Sequence, residues 1–480
     1  MKPNILFLVL DGFRADLCQG KNKTSITPNI DKLIRNGVYF EQTISSGMGS
    51  TASVSSILTS LYPFEAQVQD TNLFKINPKI RTFVDELKDK GYYTHAIIQK
   101  PLAHIGFERI FNENLDIYDQ TQEKLWSGLG DKIVKRLTRI KKRDSWFCYI
   151  QLYDLNLLIY PKEEQIEKGP PQIKDSKFGK NNYERIISAQ DEWIGRIIEQ
   201  VDLENTLIIF TADHGLESGA FDEELEKFDN EQRKRRIMDP GLSLKMGLKM
   251  KSIIPFRKKL ADKYKDHISK TKEKKQEPEK IRLEKLAISG YRKRLMEYSI
   301  LPKSNIYDDR LHVPLVLSGN GLPSGKVVSE LVRSIDIFPT VFDICKLSNN
   351  LKERRGISLL PIITNSKYTE NFVFIESSVN VIVRGRSPDA NVVGIRTSEF
   401  KYFRDRHDAK KNVHFFDLNK DPLEEYNIAK ENYRKIDEFE KLLEKVDNKL
   451  DFIISKTDDE MEMDEAKEIE AKLKEAGYIN

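Results

Sequence analysis

No apolar run in this chain approaches the roughly 18 residues that a membrane-spanning helix needs. The run at its start, Ile5 to Leu10, is short and leads straight into Asp11. A secretory leader would need a longer apolar stretch and a cleavage site of small residues, so the expected compartment is the cytoplasm. Cysteine is scarce. Cys18, Cys148 and Cys345 stand far apart, which excludes a disulfide framework and a zinc knuckle. Cys148 and Cys345 sit among apolar neighbours and read as small core residues. There is no internal repeat and no Gly-x-Ser-x-Gly elbow. The stretch Gly319 to Lys326 imitates a phosphate loop, but Asn320 stands at the first required glycine and Val327 at the required hydroxyl, so it reads as a turn. Gly47-Met48-Gly49 does not follow an apolar strand closely enough for a dinucleotide fingerprint.

What is present is a 480-residue chain, 39% hydrophobic and 32% charged, enough for a large α/β domain carrying a smaller one. The net charge of +4 hides an asymmetry. Between Glu231 and Glu297 there are 22 basic and 9 acidic residues, so the rest of the chain carries about −9. The protein as a whole is therefore not a nucleic-acid binder by charge. Within the basic stretch, Leu242, Leu244, Met246, Leu248, Met250, Ile253, Ile254 and Phe256 interleave with lysines. This reads as an inserted helical excursion with a solvated basic face. The alternative is an amphipathic surface for anionic lipid or polyanionic glycan, making peripheral membrane contact.

Two runs are built alike. Ile5 to Leu10 ends at Asp11-Gly12, and Leu207 to Phe210, followed by Thr211 and Ala212, ends at Asp213-His214-Gly215. Each reads as a strand buried on both faces, with ligating groups at its carboxyl end. In open α/β sheets that is where ligands bind. Two carboxylates and an imidazole there suit one divalent cation. Pro28 opens a helix with apolar spacing at Ile30, Leu33 and Ile34. Trp146 to Leu152 and Val373 to Ile375 read as further strands, and Ala189 to Val201 as an amphipathic helix. After Gly47 and Gly49 come Ser50, Thr51, Ser53, Ser55 and Ser56, then an apolar segment ending at Pro63. A hydroxyl at such a helix N-terminus faces unpaired N–H groups, where an anion is stabilised.

These segments resemble the sulfatase family of the alkaline-phosphatase superfamily, including its phosphonate and phosphodiester hydrolases. The residues carrying the resemblance are Pro3 to Phe7, Asp11, Arg14-Ala15-Asp16, Thr27-Pro28-Asn29, Ile57 to Pro63, Thr211 to Gly215, His312 to Leu315 and Asp336 to Thr340. Gly394 to Thr397, Lys401-Tyr402, Phe416 to Leu418 and Asp421-Pro422 are similar to the family's smaller C-terminal domain. The fold implied is α/β: a large central mixed, mostly parallel sheet flanked by helices, with a smaller C-terminal α+β domain carrying a short antiparallel sheet. The organisation implied is a catalytic core over 1–221 and 301–370, the basic helical insertion over 222–300, a C-terminal subdomain over 371–457 and a tail helix over 458–480. Carried over position by position, Asp11, Ser50, Asp213 and His214 fall on metal ligands, for one divalent ion, Ca or Mn. Ser50 also falls on the nucleophile, Lys100 and His312 on groups that assist it, and Arg14, His104 and Asn156 on substrate contacts.

The departures from the family pattern carry information too. Gly12 stands where many sulfatases have a second aspartate, and Val54 where the pattern has an arginine. Without that arginine, conversion of Ser50 to formylglycine is disfavoured. Asp154-Leu155-Asn156 stands where relatives often have Asp-Pro-His. The expected function is metal-dependent hydrolysis of a small anionic ester, sulfate or phosphate, free or on a glycan or lipid headgroup. Two alternatives are a transferase of phosphorylated headgroups, and an inactive relative that binds anionic polymers.

Overall fold

The computed structural model describes residues 2–70, 73–155, 167–217, 225, 227, 228, 231, 288–300, 305–347, 354–377 and 392–447. Asn156, most of the basic stretch and the expected tail helix at 458–480 lie outside the described residues. Fourteen strands are described: β1 (Asn4–Leu10), β2 (Gly37–Ile44), β3 (Gln67–Asp70), β4 (Leu73–Ile76), β5 (Tyr93–Gln99), β6 (Leu115–Tyr118), β7 (Trp146–Leu152), β8 (Thr206–Ala212), β9 (His312–Gly319), β10 (Lys326–Arg333), β11 (Val373–Ser377), β12 (Val392–Arg396), β13 (Phe400–Asp405) and β14 (His414–Asp417). Eight form one sheet in the order β10-β2-β9-β8-β1-β7-β5-β6, and β9 alone runs against the other seven. The expected large, mostly parallel mixed sheet is what the chain forms.

Strand β1 lies between β7 and β8, and its alternation divides two cores. Ile5, Phe7 and Val9 join the core beneath the helices Ser50–Thr59, Phe83–Asp89 and Ile337–Ile344. Leu6, Leu8 and Leu10 join the opposite core, beneath Pro28–Arg35, Leu129–Ile140 and Asn182–Ile198. This is why the run reads as continuously apolar: neither face meets water. On the first side Phe83 packs edge-on against Phe147 and Phe338, with centroids 5.0 and 5.4 Å apart. On the other side Gly130 lets the Leu129–Ile140 helix lie on Trp193, since a Cβ there would sit 2.1 Å from the indole. The helix expected from Ala189 starts earlier, at Asn182, because the Asn181 side chain caps it by accepting the Glu184 N–H at 2.9 Å. All three cysteines are buried, and burial pushes the Cys18 and Cys345 thiols up to about 12, as inert core residues require.

Strands β11-β12-β13-β14 make a separate antiparallel sheet covered by the helix Tyr433–Asp447 through Phe439, Leu443 and Val446. Two seams join it to the main sheet. In one, Glu376 of β11 donates its N–H to Ser46 O at 3.0 Å and accepts the Met48 N–H at 3.2 Å. In the other, Lys401 lies 2.6 Å from Asp308 and 2.8 Å from Glu424, while the Asp308 N–H donates to Glu424 at 2.7 Å.

The second seam makes stability depend on pH. Burial pushes the Glu424 carboxyl up to about 7, against the attraction of Lys401. The folded chain therefore holds this proton more tightly than the unfolded chain. The associated stability is full below about pH 4.5 and declines as pH rises towards about 7. Glu424→Gln is expected to flatten that decline, as urea midpoints measured at pH 5 and pH 7.5 will show.

Candidate active site and metal centre

The register of β1 and β8 builds the site. Leu10 pairs with Ala212, so Asp11 and Asp213 leave adjacent parallel strands at the same level. Asp11 and Asp213 continue the alternation of Val9 and Ile209, on the face covered by the Ser50–Thr59 helix. Both carboxylates are buried, at 1% and 0% exposure. Gly12 turns with φ +78° and donates its N–H to Asp213 Oδ1 at 3.2 Å. Gly215 must remain a glycine, because a Cβ there would lie 2.2 Å from Asp309 O.

Ser50 opens its helix after Gly49, which has φ +89°. Its hydroxyl donates to Asp11 Oδ2 at 2.8 Å and lies 3.3 Å from His214 Nε2. The neighbouring hydroxyls are used otherwise: Ser53 donates to Gly49 O at 2.7 Å and Ser55 to Ala52 O at 2.9 Å. His214 Nδ1 lies 2.7 Å from Gly215 O, which makes it the N–H donor and turns the Nε2 lone pair towards the cluster. Nε2 is 3.6 Å from Asp213 and 3.9 Å from Asp11. Burial alone would push the His214 pKa down, but Asp213 and Asp11 more than reverse this and hold it above that of a free imidazole. Ligand atoms of Asp11, Asp213 and His214 all fall within 4.8 Å of one another. Two buried carboxylates facing an imidazole lone pair form a donor set that fits a hard divalent cation.

Two glutamines complete the cluster, and sequence reasoning missed both. Gln151 Nε2 donates to Asp11 at 3.2 Å and to Asp213 at 3.1 Å, while its Oε1 accepts from the Tyr149 hydroxyl at 2.6 Å. Gln99 Nε2 is 3.4 Å from Asp11. The available signal was Gln151 inside the apolar strand β7 and Gln99 directly after Ala96, Ile97 and Ile98 in β5.

The other expected residues have partners of their own. Lys100 directly follows β5, and its charge helps hold Asp119 below the usual carboxylate range. His104 lies in the irregular turn Ala103–Phe107 with Nδ1 3.8 Å from Glu108. His312 opens β9, and its Nε2 donates to Glu41 O at 2.6 Å; burial lowers its pKa. Arg14 is buried, with Nε and Nη2 on Asp16 at 2.8 and 2.7 Å and Nη1 2.9 Å from the Tyr291 hydroxyl. Val54 is buried in the core where the family pattern has its arginine.

Tyr291 belongs to the helix Gly290–Ile300, at the end of the segment read as an insertion. That helix packs on the loops of the site. Arg294 reaches Asp309 at 2.9 Å, and Arg310 reaches Glu217 at 2.8 Å while lying 4.5 Å over the Tyr298 ring. Arg310 also tends to lower the His214 pKa, so its charge is felt at the cluster.

A mostly parallel sheet with carboxylates and an imidazole at adjacent strand ends, facing a helix-initiating serine, defines an alkaline-phosphatase-like site. The family profile described as Sulfatase matches residues 3–347, and that of the N-sulphoglucosamine sulphohydrolase C-terminal region matches 296–451. The chain belongs to the sulfatase family. Arylsulfatase K of Homo sapiens is 33% identical over 142 residues, covering 28% of this chain and 25% of that protein. The chain thus spans about a quarter of the length of the curated relatives it matches. Its fold is that of a protein solved with its substrate D-glucosamine-2-N,6-O-disulfate (TM-score 0.61, 17% identity, 95% of this chain and 99% of that one). It is likewise that of the phosphonate monoester hydrolase of Silicibacter pomeroyi (TM-score 0.58, 14% identity, 94% and 95%).

Asp213→Ala is expected to abolish divalent-ion binding and metal-dependent turnover while leaving far-UV circular dichroism unchanged. Metal analysis of the purified variant checks this, and retained metal together with turnover would place the centre elsewhere.

Proposed function

We propose that this chain is a metal-dependent hydrolase of sulfate or phosphate esters with Ser50 as its nucleophile. The observation that carries the reading is the Ser50 hydroxyl, which meets Asp11 and His214 at the first turn of a buried helix. Asp11, Asp213, His214 and the Ser50 oxygen would hold one divalent ion, Ca or Mn. When bound, that ion supplies charge that lowers the pKa of a coordinated hydroxyl and polarises an ester oxygen.

The chain's own residues do the rest. Ser50 gives up its proton within the cluster, where its hydroxyl already donates to the Asp11 carboxylate at 2.8 Å. Its oxygen attacks the sulfur or phosphorus in line, the bond to the ester oxygen opposite breaks, and the departing alkoxide takes up a proton from water. The helix N-terminus stabilises charge on the transferring group. Lys100, His104 and His312 are assigned to the same task, with Arg14 and Asn156 as further substrate contacts.

The choice between esters turns on the nucleophile. With Val54 in the core, Ser50 is read as unmodified, and a serine alkoxide suits phosphoryl transfer because water can hydrolyse the covalent intermediate at phosphorus. This favours phosphate monoesters or diesters. The second reading is a sulfate ester on a sugar, which the disulfated glucosamine of the structural neighbour supports. Transfer of a phosphorylated headgroup would follow if an alcohol replaced water in the second step. The Gly12 and Val54 departures support the remaining alternative, an inactive binder of anionic polymers. Cytoplasmic residence and peripheral contact with a membrane through the basic stretch stay part of this proposal. Among the described residues no helix is long and apolar enough to cross a membrane.

Ser50→Ala is expected to cost several orders of magnitude in rate. Ser53→Ala, which removes only a bond to Gly49 O, should stay within about tenfold. Paired assays on an aryl sulfate, a phosphate monoester and a phosphodiester, with peptide mass spectrometry of Ser50, decide the ester. Turnover of the sulfate alone, with Ser50 found as the aldehyde, would overturn the phosphate preference.

A further inference from the structure

Gln99 ends β5 and is 1% exposed. Its amide nitrogen makes one long contact, 3.4 Å, with Asp11 Oδ2, and its carbonyl oxygen is buried without a hydrogen-bond partner. Leaving such an acceptor unpaired in a buried site is unfavourable. Gln151, on the same carboxylates, shows the satisfied arrangement: the Tyr149 hydroxyl engages Oε1, and Nε2 bridges Asp11 and Asp213. The Gln151 amide is thereby locked with its nitrogen inward. Gln99 has no equivalent anchor, and a half-turn of its carboxamide exchanges oxygen for nitrogen at the same place. An amide oxygen 3.4 Å from a carboxylate oxygen is repelled, unless a cation binds both.

We propose that Gln99 Oε1 is a further ligand of the divalent ion held by Asp11, Asp213 and His214. The proposal rests on the metal centre described above. Neutral amide oxygens are ordinary ligands of calcium. Two oxygens at right angles on one ion, each roughly 2.3–2.6 Å from it, lie roughly 3.3–3.7 Å apart. The 3.4 Å between the Gln99 amide and Asp11 falls in that range. Asp213 Oδ1 is already engaged, because it accepts the N–H groups of Gly12 and His214 at 3.2 and 2.8 Å. A neutral ligand also has a consequence for charge: two carboxylates already balance a divalent ion, and Gln99 adds an oxygen to the shell without a third.

The test is calorimetric titration of the metal-depleted full chain with Ca²⁺ and with Mn²⁺. Gln99→Met keeps the volume and removes the oxygen, and affinity is expected to fall about 10- to 100-fold, with the ion-free circular dichroism unchanged. Gln99→Glu, which restores an oxygen, is expected to bind at least as tightly as the parent. If Gln99→Met binds within twofold of the parent, Gln99 is not a ligand. If that variant fails to fold, Gln99→Glu decides: weaker binding than the parent overturns the proposal, and equal or tighter binding supports it. A parent that binds neither ion overturns the metal centre itself and the Gln99 assignment with it.

Discussion

Everything at the site depends on keeping two carboxylates together where water is excluded. Asp11 and Asp213 offer oxygens no more than 4.8 Å apart. At an effective dielectric of about 20, two unit charges at that separation repel by roughly 3.5 kcal/mol. The fold meets this cost with donors rather than distance. Gln151 bridges the pair, the Gly12 and His214 N–H groups hold one oxygen of Asp213, and Ser50 donates to Asp11. A bound cation would turn the same repulsion into attraction. The glycines beside the carboxylates follow from the same constraint, because the chain must turn at once and pass close to its neighbours.

The environment of the site is as charged as its centre. Glu217, Arg294, Asp308, Asp309, Arg310, Lys401 and Glu424 are all largely buried and engage one another across four separate parts of the chain. Breaking one member of such a network leaves a buried charge uncompensated, which costs far more than a surface pair is worth. The Gly290–Ile300 helix supplies Arg294 and Tyr291 to this network, and Tyr291 holds Arg14 just beyond Asp11. The end of the basic segment is therefore part of the structure supporting the site.

Much of this was legible in the sequence, for reasons that can be named. Apolar runs ending in Asp-Gly and Asp-His-Gly mark doubly buried strands with carboxylates at their carboxyl ends, and parallel pairing in register brings those ends together. The antiparallel C-terminal sheet followed from family motifs such as Gly394 to Thr397. Gln99 and Gln151 were invisible because a single glutamine in a strand has no periodic signature, and its role appears only when strands distant in sequence pair. The start of the Asn182–Ile198 helix was misjudged because Tyr183, Ile186 and Ile187 were not counted with its apolar stripe, although Asn181 supplies the cap. Arg14 reads from sequence as a group free for substrate, yet Asp16, two residues on, engages it through two nitrogens.

The bridge between β11 and the loop preceding Ser50 has a consequence for the order of events in biosynthesis. Ser46 and Met48 are braced by the backbone of Glu376, which leaves the ribosome more than three hundred residues after them. The strands bearing Asp11 and Asp213 can pair before then. The loop that aims Ser50 reaches its final course only when β11 has emerged and docked. A nascent chain can thus acquire its carboxylate pair early and its positioned hydroxyl late, once the C-terminal sheet is in place.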